Sequence, residues 1–304
     1  SGIQFDLSIE RLENELFHLQ TKAEIKSFLE EHPLFSRHFL NIDRYPDQSM
    51  VVDQLYGLVN DSHIDTLYQQ TEQTFRDFSG IKSEMEGALK LSRYYIPDFV
   101  LPKINTFVTG LSNDLHVSDS LIVIGLDFFI GDSAKYLPDV PKYIQRRYQK
   151  EYIVPTVVLL MSDRYNKTSF EDQTMLAEMI YYGKAYYYSK KMLPCVPDSV
   201  LIGYSSEEFR DVNANQETVW AHFLQNELLY STQPGKKAKY LSERPKVYEI
   251  GNKCPGRVGV WLGWEIVKKY MEEHPEVTLE QLMKDSDAKK IFIESKYKAK
   301  NKNG

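Results

Sequence analysis

FEDQTMLAEMIYYGKAYYYSKK, residues 170–191, is the stretch on which the fold turns. Apolar side chains fall at Leu176, Ile180, Gly183 and Tyr187, with Met175, Met179 and Tyr186 beside them. That spacing predicts one amphipathic helix with a buried face. Asp172 at its start and Lys190 and Lys191 at its end have the polarity that a helix dipole favours. Gly183 in mid-helix costs about 1 kcal/mol relative to alanine, so a second backbone is expected to pass close by. The surrounding tyrosines are expected to be mainly core, their hydroxyls finding partners at the edges.

Within this helix, Ala177-Glu178-Met179-Ile180-Tyr181 falls where a zincin would carry His-Glu-x-x-His. In that motif two imidazoles four residues apart hold zinc, and the glutamate between them is the general base for a metal-bound water. Glu178 occupies the glutamate slot. Ala177 and Tyr181 occupy the histidine slots. Zinc would lose two protein ligands, and its chemistry with them.

The 304 residues are 42% hydrophobic, enough for a sizeable core, and include 21 Tyr and 15 Phe. A net charge of −6 and a pI near 5.7 argue against nucleic-acid binding, which needs a basic field. Only the end is basic, with Lys296, Lys298, Lys300 and Lys302; residues 299–304 read as a flexible, solvated tail. No run of about twenty apolar residues exists to span a membrane. Ser1-Gly2 fits a cloning scar, with any export signal trimmed. Cys195 and Cys254 form no C-x-x-C motif, which leaves one disulfide or two free thiols open.

Residues 1–100 read as a helical lobe, with helices over 10–19, 23–31, 50–59, 65–78 and 81–94. His18, His32, His38 and His63 stand at no ligand spacing. Ile104–Thr109 and Leu121–Leu126 read as strands joined through a turn at Asn113-Asp114. They predict a small antiparallel sheet, since no crossover helix fits between them. Asp127, just after the second strand, is placed to cap a turn or to meet a ligand. Short helices over 140–150 and 154–163 precede the central helix. A capping box at Ser205–Glu208 starts another, running to Tyr230. Pro234-Gly235-Lys236-Lys237 reads as a loop. Gly256–Glu273 is the last major helix, with Gly256, Gly259 and Gly263 along one edge and Trp264 and Arg257 nearby; Thr278 opens a final helical pair. The whole is expected to be α+β and predominantly helical, with a small antiparallel sheet and a central zincin-like helix. One domain, 1–304, is expected, with the sheet and later helices over 101–298. Walker A, nucleophile-elbow, Rossmann and EF-hand motifs are missing from the sequence.

Several segments together resemble the gliding-motility lipoprotein GldB family, almost end to end. They are Ile3-Gln4-Phe5-Asp6, Tyr94-Tyr95-Ile96-Pro97 with Pro102-Lys103, Ile124-Gly125-Leu126-Asp127 with Gly131, and Met179–Lys184. Gly203-Tyr204, Trp220, Leu228-Leu229-Tyr230, Pro255–Trp264 and Ser295–Lys298 complete the set. The resemblance implies an exported envelope lipoprotein of Bacteroidetes-type bacteria, facing the periplasm, acylated on a cysteine that precedes these residues. It implies a role beside the gliding and associated secretion machinery, with unnamed envelope proteins as partners and a lipid anchor as the membrane contact. Asp127, Gly183, Lys184, Trp220, Arg257, Gly259, Gly263 and Trp264 are the motif or cleft candidates. A more distant resemblance links the architecture to zincin-type proteases. There Glu178 would match the catalytic glutamate and Glu217 the third ligand, which makes the chain a pseudo-metallopeptidase.

The first expectation is therefore a non-catalytic, tethered protein without a cofactor that binds a partner. The alternatives are a zinc hydrolase with an atypical site, from Glu178, Glu217 and His116 or His222, and a binder of small ligands or muropeptides. Glu178→Gln separates enzyme from scaffold.

Overall fold

The computed structural model describes residues 7–169 and 171–299. Phe170, the Ile3–Asp6 segment and the tail lysines Lys300 and Lys302 lie outside them. The chain divides into two compact units: unit 1 comprises residues 1–94 and 98–157, unit 2 residues 95–97 and 158–304. The fold is α+β and predominantly helical, as expected.

Unit 1 begins with a strand, β1 (Ile9–Arg11), where a helix from Glu10 was expected; α1 (Leu12–Leu16) follows. Pairing overrides local pattern here, because Ile9 to Arg11 align in parallel with Ile104 to Thr106. The next helices are α2 (Lys22–Glu31), α3 (Ser49–Val59), α4 (Ser62–Thr74) and α5 (Ser79–Tyr95). Thr21 and Glu24 close a capping box on α2, and Asp61 caps α4. Then come β2 (Lys103–Phe107), β3 (Leu115–Val117) and β4 (Leu121–Gly125).

The sheet order is β1-β2-β4-β3. β2 and β4 are parallel, which corrects the antiparallel sheet expected from the sequence. The missing stroke is β3. It runs antiparallel to β4 on its far side, so the chain reverses twice and needs no crossover helix. Every residue of β4 is buried, which explains its uninterrupted Leu-Ile-Val-Ile run. Phe107, Leu121 and Val123 share a core with Leu12, Phe28, Phe35 and Leu55 of the helical layer. The expected helix over 140–150 shrinks to α6 (Lys142–Gln145), started by Pro141; Tyr148, beyond its end, donates its hydroxyl to Asp114 at 2.8 Å. α7 (Ile153–Met161) begins in this unit.

Unit 2 is built on α8 (Met175–Met192), the central helix. It starts at Met175 because Thr174 caps it: the Ala177 N–H donates to Thr174 Oγ1 at 3.2 Å, and Asp172 accepts from the Thr174 N–H at 3.0 Å. Short α9 (Asp198–Ile202) ends on left-handed Gly203. The expected Ser205–Tyr230 helix is two, α10 (Ser206–Ala214) and α11 (Gln216–Gln225). Asn215 breaks it, its side chain donating to the Asp211 carbonyl at 2.7 Å. The Ser205–Glu208 capping box is present as read.

Pro234-Gly235-Lys236-Lys237, expected as a loop, opens α12 (Pro234–Leu241). Proline fits the first helical position, where its missing N–H costs nothing. α13 (Val258–Glu273), α14 (Leu279–Lys284) and α15 (Ala288–Ser295) complete the unit.

Candidate functional site

α8 was expected to bury one face, but most of its length is buried, polar Lys184 and Ser189 included. Ser189 is satisfied within the helix, its hydroxyl donating to the Ala185 carbonyl at 2.9 Å, and neighbouring elements of unit 2 satisfy Glu178, Tyr181 and Lys184.

Glu178 forms an ion pair with Lys237 on α12, whose ammonium also donates to the Gln173 carbonyl at 2.9 Å. Lys237 is buried, and Glu178 is partly exposed. Tyr181 donates its hydroxyl to Asp163 at 2.7 Å, and the Asn166 side chain donates to the Tyr181 carbonyl at 2.8 Å. Burial, and then Asp163, push the Tyr181 phenol well above its ordinary range. Ala177 contributes only its capped backbone N–H.

Lys184 is 1% exposed. Its ammonium donates to the carbonyls of Lys167 at 2.6 Å, Asp285 at 2.7 Å and Met283 at 3.4 Å. It thereby ties α8 to the 162–167 turn and to the end of α14. Burial lowers its pKa to about 8, opposed by Asp285. A mid-helix lysine reads as solvent-facing in sequence, so this role was hidden.

Arg257 sits at the N-cap of α13 in the left-handed region, φ 57°. Its guanidinium donates to Tyr186 Oη at 3.0 Å and to the Ile202 carbonyl, and it pairs with Glu243 at 3.1 Å. It also lies 5.9 Å from the centre of the Tyr204 ring, and Tyr204 donates to the Gly256 carbonyl at 2.7 Å. Burial works against the charge, but Tyr186, Glu243 and Tyr204 outweigh it and shift the group upward. Tyr186, Tyr204 and Glu243 were not among the candidates. They carry no spacing that marks them, because they reach Arg257 from three different elements.

The glycines serve the crossing of α8 and α13. A Cβ on Gly183 would run into the Gly263 carbonyl, and one on Gly263 into the Met179 carbonyl. Gly259 faces Leu241 Cδ2, 2.8 Å from where its Cβ would be. Trp264 is buried with its ring 5.5 Å from Tyr186 and the Lys268 ammonium 4.7 Å above it. Trp220 packs against Phe292 and Tyr297 at 6.0 and 5.3 Å. Of the tyrosines on α8, Tyr186 and Tyr188 are core, and Tyr182 is the exposed one.

In unit 1, the buried Asp127 carboxylate accepts the N–H groups of Thr109 at 3.0 Å and Leu111 at 2.7 Å. It holds a loop in which Gly110 and Leu111 are both left-handed. Burial raises its pKa, and these hydrogen bonds oppose the rise.

Of the residues assigned to an atypical metal site, those of unit 2 are engaged elsewhere or exposed. Glu178 is engaged by Lys237, Glu217 is exposed on α11, and His222 is 2.9 Å from Tyr240 Oη. His116 belongs to β3 of unit 1. Among the described residues no three His, Cys, Asp or Glu side chains are grouped so as to hold a metal ion. Both cysteines are free, Cys195 exposed and Cys254 buried.

Fold and site thus define a largely helical protein whose central helix spends its polar groups on internal ties. The chain belongs to the family described as gliding motility protein GldB, whose sequence model matches residues 1–299. No curated protein and no solved structure matches it.

Proposed function

We propose that this is a non-catalytic lipoprotein of the cell envelope that serves gliding motility, or the secretion machinery associated with it, by binding a partner protein. The observation that carries the reading is the family match over residues 1–299. The central helix supports it as well. The slots that would hold zinc in a peptidase are Ala177 and Tyr181, and Glu178 faces an ammonium in place of a metal. In this reading the scaffold is a degenerate metallopeptidase-like one that kept its shape and lost its zinc. No helix among the described residues is long and apolar enough to cross a membrane, which agrees with attachment through a lipid.

The test is deletion of the gene in its own host, followed by complementation with the wild-type chain and with Glu178→Gln. Deletion should impair surface movement or secretion, and both forms should restore it. A Glu178→Gln chain that accumulates normally but fails to complement, together with stoichiometric zinc on the purified wild type, would replace this reading with the hydrolase.

A further inference from the structure

We draw no further inference here: the strongest candidate, the hollow of about 590 Å³ in unit 2 beside the start of α12, floored by Phe223 and Leu229 and walled by the exposed Leu224 and Tyr230, is edged by one glutamate and one lysine, Glu227 and Lys236, and nothing in the structure shows what covers it.

Discussion

The carboxylate of Glu178 is bound by the ammonium of Lys237, fifty-nine residues further on. A glutamate that reads as a general base in sequence is thus a tie between α8 and the start of α12. Its loss should be felt as stability. Glu178→Gln is expected to cost about 1 kcal/mol, kept small by its exposure. Lys237→Met should cost more, about 2 kcal/mol, because it removes both the ion pair and the hydrogen bond to the Gln173 carbonyl. Urea denaturation of the two variants gives the order. A reversed order would show that the pair does not hold α12.

The α8–α13 crossing makes a prediction opposite in sign to helix propensity. Gly183→Ala and Gly263→Ala should each destabilise by about 3 kcal/mol, since the added methyl meets backbone that cannot yield. Gly259→Ala should cost less, because its first neighbour is the end of the Leu241 side chain. Gly57→Ala in α3 and Gly87→Ala in α5, which meet nothing within 4 Å, should instead gain about 0.5–1 kcal/mol. Thermal melts of the five variants decide it.

Lys184 sets a pH dependence. Its folded pKa, about 8, lies below its unfolded value of 10.5, so between those values the unfolded chain binds more protons. Stability from this group is therefore full above the unfolded value and is lost as pH falls through about 8. Cys254, pushed up to about 12 by burial, acts in the opposite sense above pH 9. The clean window is pH 8 to 9, where Lys184 should add about 1 kcal/mol as pH rises. Denaturation at both pH values, for wild type and Lys184→Met, checks this. The variant should lose the slope and lie about 2–3 kcal/mol lower, because the Lys167 and Asp285 carbonyls lose the ammonium that they accept from, while the Met283 carbonyl keeps the Lys167 N–H.

Asp127 should be a determinant of stability. Asp127→Ala leaves the buried N–H of Thr109 and the N–H of Leu111 without their acceptor and frees a loop with two left-handed residues. A loss of about 3 kcal/mol is expected. Asp127→Asn, which keeps one acceptor, should lose about half of that. Equal melting temperatures for wild type and alanine variant would refute the role.

The thiols should differ. Cys195 is exposed, whereas Cys254 is buried with its thiol protonated far above neutrality. A disulfide-exchange reagent should titrate one thiol per native chain and two in denaturant, because only the accessible thiolate reacts. Two fast-reacting thiols in the native state would contradict the burial of Cys254.

Much of the helical framework was determined by sequence alone. Capping residues such as Ser205 and Thr278, and the 3.6-residue repeats of α2, α3 and α13, are local signals that short-range sterics and hydrogen bonding fix. Gly183 likewise announced a close approach, because a helix tolerates glycine at a cost that packing must offset. What faces what was left to tertiary structure. Which backbone meets Gly183, which carbonyls cap Lys184, and which ammonium takes Glu178 each join residues far apart in the chain. The mixed sheet, with its parallel β2–β4 pair, was hidden for the same reason: β1 and β3 are only three residues each, too short for a pattern, and exist because β2 and β4 offer them hydrogen-bonding edges.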